Sequence, residues 1–361
     1  MSPQSKPVIL IIDDEPDRLA ALERDVRALT STLEVRTWAP EKSDGDPGAT
    51  FAVKASGDVG FVVTDHDLTK NGPPGLLGTS IATWCLDRYL PMCYFTRRVE
   101  VRLPRERSIF EFRISFDADE RERAREIVRL AHGFQDVRER LASGPAEGSM
   151  SDQLAGIFGR PILSNDLAPY FSGIGLAHSQ ILQDLASTDF AGEANTSARA
   201  SIQAFVLGHI LANAVLEFPG PILNTAQLNA YCGTDSKEYH RVSILFEKAA
   251  YVGPFSQFDG YFYRDRVDAV LDAMSGEIEG DDPDTYGRLV VEGQVGTLPP
   301  HECERIDCHG TRGGFWCPFT GRTVCGRQDC SVASTSWIPR GAVVCRVERD
   351  YFDEHAPLLG S

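Results

Sequence analysis

The first third of the chain is predicted to form an α/β domain built on a doubly wound, five-stranded parallel sheet. Strand-like and helix-like patterns alternate along residues 7–141, and this alternation is typical of a parallel sheet covered by helices. Two of the strand-like runs, Val8–Ile12 and Val59–Thr64, are apolar almost throughout. Strands buried on both faces have this composition, so both runs are predicted to lie inside the sheet.

The other elements of this domain follow in order along the chain. A helix is predicted after the first run, because Pro16 suits a first helical position and apolar residues then recur at helical spacing. Residues 33–38, 92–95 and 109–114 are predicted to complete the sheet, residues 40–50 to form a loop, and residues 76–89 and 119–141 to form helices. The helix at 119–141 is highly charged, which indicates a solvated face. A homodimer contact along it is left open.

Two further regions follow this domain, which is assigned to residues 1–141. Residues 150–275 are predicted to form a mainly helical domain, with linker-like stretches on either side. Within it, residues 224–233 and 236–250 are expected to be helices and the aromatic residues 251–263 a hairpin, a series that could also be interpreted as winged-helix-like. Residues 295–361 are predicted to form a small cysteine-rich module.

Acidic side chains follow the two most apolar strands at the point where each strand ends. Asp13 and Asp14 come directly after the first run, and Asp65 follows the run at 59–64. In an open α/β sheet, ligands bind at the carboxyl ends of the strands. Three carboxylates that converge there would suit a hard cation, and one of them could act as a nucleophile.

At these residues the N-terminal third resembles the receiver domain of bacterial two-component response regulators. The resemblance rests on the pair Asp13-Asp14, on Asp65, and on Thr96 at the end of the fourth predicted strand. It implies the flavodoxin-like strand order, with Asp65 as the phosphoacceptor and Thr96 contacting the phosphoryl group. It also implies Mg²⁺ bound by Asp13, Asp14, Asp65 and the backbone carbonyl of Asp67.

The chain departs from this family at two places. The family usually carries a lysine at the end of the fifth strand, whereas the corresponding stretch here has Arg113 as its nearest cation. In addition, only fifteen residues separate Thr96 from Phe112, where that stretch begins, and they include Pro104 and several arginines. The fourth helix of the family is therefore expected to be short or absent.

The cysteines are concentrated in the tail, where six of the nine lie after residue 300. Four of them form two pairs with four residues between the members of each pair. Clustered thiols in a chain without an export signal are typical of metal ligands, and tetrahedral zinc takes four of them. The predicted Zn²⁺ ligands are Cys303, Cys308, Cys325 and Cys330, with Cys317 and His309 as substitutes. A small core of reduced cysteines is the alternative.

Charge and hydropathy argue against nucleic acid and membranes as binding partners of this chain. The net charge of −16 argues against nucleic acid, and residues 220–275 carry seven acidic and five basic side chains, whereas a DNA reader needs a basic face. No apolar run reaches the roughly 18–20 residues that span a bilayer. The first seven residues lack the pattern of a signal peptide, so a cytoplasmic location is expected.

These observations predict a response-regulator-like signalling protein rather than an enzyme with a catalytic domain. A histidine kinase or phosphotransfer protein would act upstream, and an unidentified protein would receive the signal through protein–protein contacts. Two alternatives stay open: a pseudo-receiver adaptor that works without phosphorylation, and a phosphate sink. A DNA-binding transcriptional regulator is the less favoured interpretation.

Overall fold

A computed structural model describes residues 6–96, 109–115, 117–143, 148–171, 193–276, 283–305, 307–308, 314–333 and 337–359. The five predicted strands form one sheet in which every neighbouring pair is parallel. Their order is β2-β1-β3-β4-β5, which is the flavodoxin-like order of doubly wound folds. The predicted fold class of this region is therefore confirmed. The strands are β1 (Val8–Ile12), β2 (Glu34–Trp38), β3 (Val59–Thr64), β4 (Met92–Thr96) and β5 (Phe112–Ser115).

Helices cover both faces of this sheet. Alternate side chains of each strand point to opposite faces, so Ile9 and Ile11 enter one buried cluster while Leu10 and Ile12 enter another. The first cluster includes residues of two helices, α1 (Pro16–Leu29) and α4 (Glu120–Ser143). The second includes residues of α2 (Pro47–Lys54) and α3 (Gly78–Leu86).

Helix α2 corrects the prediction of a loop at residues 40–50, because it begins at Pro47. The Asp46 carboxylate accepts a hydrogen bond from the Gly48 amide at 3.0 Å and caps the first turn. Phe51 is fully buried against the sheet. The cap and this burial outweigh a composition that is typical of loops. The fourth helix of the receiver family would fall within residues 97–108, which lie outside the described residues.

The middle region is mainly helical, as predicted. Its long helix α7 (Glu193–Ile210) continues into a π-helical turn at Leu211–Val215. In the segment expected to form a hairpin, residues 251–263, the two ends do meet: the Tyr251 amide donates to the Tyr261 carbonyl at 2.7 Å, next to an antiparallel bridge between Ala250 and Phe262. Strand β7 (Tyr261–Tyr263) also pairs antiparallel with β6 (Ile222–Asn224). The α-helices of this region are α5 (Met150–Ile157), α6 (Ser164–Phe171), α7, α8 (Thr225–Tyr231), α9 (Tyr239–Ser243) and α10 (Arg264–Ser275), with 3-10 turns at Pro161–Leu163, Ser236–Glu238 and Ile244–Ala249.

The tail contains two small antiparallel sheets between two helices. Strand β8 pairs with β9, and β10 pairs with β11. The elements are α11 (Pro283–Val295), β8 (Phe315–Cys317), β9 (Arg322–Val324), β10 (Ser331–Val332), β11 (Val347–Glu348) and α12 (Arg349–Leu359). Among the residues that the structure describes, no helix combines the length and apolarity needed to cross a lipid bilayer.

Two glycines allow the receiver-like sheet and the middle region to share one core. Helix α4 contacts α1, β3 and β5 of the first domain and also α7 of the middle region. The Phe134 ring of α4 lies against Gly208 of α7, and Phe255 lies against Gly133 of α4. The two rings meet edge to face, with their centroids 5.3 Å apart. One buried apolar cluster therefore continues from the sheet into the middle region.

Gly133→Ala is expected to lower the free energy of unfolding by about 1–3 kcal/mol, the usual cost of overpacking a core. The added methyl group would lie 2.0 Å from the Phe255 ring. Urea denaturation followed by circular dichroism measures the change. Gly156→Ala is the matched control, because a Cβ added to this helical glycine would meet no described atom within 4 Å beyond its chain neighbours and its own helix backbone. An equal loss of stability in both variants would contradict the packing role of Gly133.

Candidate metal centres

The carboxyl ends of β1 and β3 bring the three predicted acids together. The two strands are neighbours, with Ile12 in register with Thr64. The Asp65 amide then donates to the Ile12 carbonyl at 3.1 Å, which holds the residues that follow each strand side by side. One oxygen from each of Asp13, Asp14 and Asp65 lies within 4.8 Å of the others. We call this group the acid pocket.

Asp14 is the most buried member of the acid pocket, with 2% of its surface exposed. Its Oδ2 accepts hydrogen bonds from the amides of Asn71 at 2.5 Å and Gly72 at 3.3 Å. Its Oδ1 is buried and has no hydrogen-bond partner among the described residues. A buried oxygen without a partner is costly, and a carboxylate oxygen is the ligand that Mg²⁺ prefers. The donor set therefore fits a small divalent cation.

A guanidinium already lies inside the acid pocket. Arg18 Nη2 donates to Asp13 Oδ1 at 2.9 Å and also to Asp65 Oδ2. Asp13 Oδ1 accepts a further bond from the Glu15 amide at 2.8 Å. Burial raises the pKa of the Asp13 carboxyl, and the hydrogen bond from Arg18 opposes this shift. The arginine thus offsets part of the negative charge that the fold concentrates here.

Arg18 was not singled out from the sequence, which pointed to Arg113 as the nearest cation. Arg113 instead pairs with Glu111 at 3.4 Å and lies 5.5 Å from the Tyr94 ring centroid. Arg18 stands in the first turn of α1, shortly after Asp13 and Asp14, which follow strand β1. Helical side chains lean toward the N-terminus of their helix, which was the available signal for this contact.

Two further residues are predicted to belong to the pocket, Asp67 and Thr96. The Asp67 carboxylate accepts bonds from the hydroxyl of Thr69 at 2.6 Å and its amide at 3.0 Å. These bonds lower its pKa and hold the carboxylate in a local turn. Metal binding through the Asp67 carbonyl stays a prediction. Thr96 is the last residue of β4, in register with Ser115, and its side chain lies outside what the structure describes.

The second candidate centre lies in the tail, where four thiols meet. The sulfur atoms of Cys303, Cys308, Cys325 and Cys330 all lie within 4.8 Å of one another, and all four residues are buried. We call this group the thiol cluster. The sulfurs of Cys308 and Cys325 are 3.8 Å apart. Zinc–sulfur bonds of about 2.3 Å place tetrahedral ligands about 3.8 Å from each other, so the cluster has the dimensions of a zinc site.

Burial disfavours the charged form of these thiols. Desolvation raises the pKa of Cys325 and of Cys330 above that of an ordinary thiol. A bound metal ion offsets the charge of deprotonated sulfurs. Arg305 supports the cluster from outside: its Nη1 lies 4.0 Å from the Cys330 sulfur, and it forms a two-pronged pair with Asp350 of α12 at 2.9 and 3.0 Å.

The substitute zinc ligands named from the sequence do not join this group within the described residues. The Cys317 sulfur accepts a hydrogen bond from the Glu348 amide at 3.3 Å, which ties β8 to β11 instead. His309 lies outside the described residues. Among the described residues, the four thiols of the cluster are the predicted ligands that meet.

Comparison with known proteins adds little to this geometry. No protein-family model matches the chain, and no curated protein matches it. Among solved structures, the response regulator StyR aligns with 58% of this chain and 100% of its own, at 18% identity and a TM-score of 0.27.

The full chain purified under reducing conditions is expected to contain one zinc ion, measured by inductively coupled plasma mass spectrometry. Cys325→Ala should lose it, because a tetrahedral site that lacks one of four thiolates binds zinc far more weakly. Cys317→Ala is the matched control within the same module and should keep the metal. Wild-type protein without zinc would refute the site, and metal loss in both variants would refute the assignment of ligands.

Proposed function

We propose that this chain is a response-regulator-like signalling protein whose acid pocket accepts a phosphoryl group on Asp65. The observation that carries the proposal is the convergence of Asp13, Asp14 and Asp65 at one edge of a parallel sheet with the flavodoxin-like strand order. The resemblance of these residues to the receiver motif is the second support. Ligands bind at this edge in open α/β sheets.

The proposed reaction is a phosphoryl transfer between two side chains. A carboxylate oxygen of Asp65 attacks the phosphorus of a phosphohistidine, the new oxygen–phosphorus bond forms, and the nitrogen–phosphorus bond breaks. The leaving imidazole nitrogen keeps the electron pair and takes up a proton. Asp13, Asp14, Asp65 and the Asp67 carbonyl would hold Mg²⁺, which offsets repulsion between the acids and the incoming phosphate. Thr96 would contact the transferred group.

The Asp65 carboxylate is held in a fixed orientation but stays accessible to a phosphoryl donor. The Asp65 side chain keeps 13% of its surface exposed, whereas Asp14 is nearly enclosed. Asp65 Oδ1 accepts a bond from the His66 amide at 2.7 Å, which fixes the orientation of the carboxylate. Pre-positioning of this kind is most of what a protein contributes to phosphoryl transfer.

The phosphorylated state would pass to the rest of the chain through the middle region. Phe110, just before β5, stacks on Phe205 of α7 with ring centroids 5.2 Å apart. The Asn213 amide group donates to the Ile109 carbonyl at 2.8 Å. These contacts join the strand next to β4 to the helix that precedes the π-helical turn. A histidine kinase or phosphotransfer protein would donate the phosphoryl group. A protein that binds the middle region or the tail would then respond to the phosphorylated state.

Incubation with acetyl phosphate and Mg²⁺ is expected to raise the intact mass of the chain by one phosphoryl group. Asp65→Asn should abolish the increase, because the amide lacks the nucleophilic oxygen. Asp67→Asn is the matched control: it removes a neighbouring acid but leaves the backbone carbonyl in place. Intact-protein mass spectrometry reads out all three proteins.

The outcomes separate the competing functions. Labelling of wild type and Asp67→Asn but not of Asp65→Asn supports the proposal. Absence of labelling with acetyl phosphate and with candidate kinases would refute it and leave the adaptor that works without phosphorylation. Equal labelling of Asp65→Asn would place the acceptor elsewhere.

A further inference from the structure

We infer that Arg18 is a resident cation of the acid pocket that competes with the divalent metal, so that metal binding requires Arg18 to move toward Glu15. The inference rests on the proposed Mg²⁺ site and adds a regulatory element to it. Arg18 sets the metal affinity of the pocket, and it holds the acids together when no metal is bound.

The first argument is that Arg18 and a metal ion need the same oxygen atoms. A single nitrogen, Nη2, contacts both Asp13 Oδ1 and Asp65 Oδ2. Both carboxylates belong to the group whose oxygens lie within 4.8 Å of one another. A small cation demands close, regular contact with its oxygen ligands, so the guanidinium must withdraw when the cation enters.

The second argument is that Arg18 does not satisfy the pocket completely. Three carboxylates face one guanidinium, and Asp14 Oδ1 stays buried without a hydrogen-bond partner among the described residues. Like charges this close together repel strongly in a partly buried setting. A divalent ion offsets one more charge than an arginine and can also reach the unsatisfied oxygen. The metal can therefore displace Arg18, although at a reduced affinity.

The third argument is that a second acid is ready to receive Arg18. Glu15 Oε1 lies 3.5 Å from Arg18 Nη1, whereas the contacts with Asp13 and Asp65 are made by Nη2. The Arg18 side chain keeps 28% of its surface exposed and Glu15 keeps 31%, so a rotation toward Glu15 carries the charge toward water. Lys70 also contacts Glu15, at 3.0 Å, and would share the carboxylate with the displaced arginine.

Isothermal titration calorimetry of MgCl₂ into the full chain tests the inference, after dialysis against magnesium-free buffer without a chelator that would strip the thiol cluster. Arg18→Ala is expected to bind Mg²⁺ about tenfold more tightly than wild type, which corresponds to about 1.4 kcal/mol. Arg24→Ala is the matched control, because Arg24 lies on the same helix, is 71% exposed and pairs with Asp25. It should bind Mg²⁺ as wild type does.

A thermal-unfolding series covers the case in which Arg18→Ala folds poorly. Without magnesium, Arg18→Gln is expected to melt at a lower temperature than wild type, because the three acids lose their cation. Saturating MgCl₂ should raise the melting temperature of Arg18→Gln more than that of wild type. Equal magnesium-induced shifts in the two proteins would overturn the inference.

Failure of this inference differs from failure of the proposed function. If wild type and Arg18→Ala bind Mg²⁺ with equal affinity, or the variant binds more weakly, Arg18 is not a competitor, and the metal site itself stands. If neither protein binds Mg²⁺, both the metal site and the inference are overturned. If Arg18→Ala binds Mg²⁺ more tightly than wild type and Arg24→Ala does not, the result supports both the metal site and the inference.

Discussion

The parallel pairing of β1 with β3 imposes the constraint from which the rest of the first domain follows. Because Ile12 is in register with Thr64, the residues after each strand must meet, and those residues are acids. The chain thus concentrates negative charge at a place where burial weakens the screening by water. A folded state with this charge needs a cation, which Arg18 provides within the chain and a divalent ion would provide from outside. The need for a stabilising cation and the proposed metal binding at this edge therefore both result from the same clustering of carboxylates.

The tail carries a second group of candidate metal ligands, the four sulfur atoms of the thiol cluster. Its strands are two or three residues long, and a small module with so little sheet has a limited core. The four thiols stand among the apolar residues of that core, next to Val324 and Val347. Metal binding would therefore act mainly on the folding of the tail. Arg305 links the cluster to α12 and so extends the effect beyond the four sulfurs.

The sequence predicted those features of the fold that follow directly from a local pattern of residues. The runs that became β1 and β3 end at the acids, and strands in a parallel sheet end at a common edge, so the meeting of Asp13 and Asp65 was predictable. The contact of Arg18 was indicated only weakly by its place in the first turn of α1, because the contact also depends on how α1 is oriented over the sheet. Helix α2 was missed because one cap and one buried aromatic outweighed a Pro- and Gly-rich composition. The pairing of β7 with β6 joins segments far apart in sequence, which local patterns do not reveal.

Helix α4 packs against both the sheet and the middle region, and this limits where the chain can be cut into stable fragments. The predicted boundary at residue 141 falls within this helix, whose buried side chains serve the sheet and the middle region together. A fragment that ends there would lose α7 and Phe255 and would leave Phe134 and its neighbours as an exposed apolar surface. Surfaces of this kind promote self-association. The receiver-like part therefore relies on the middle region to cover this apolar surface.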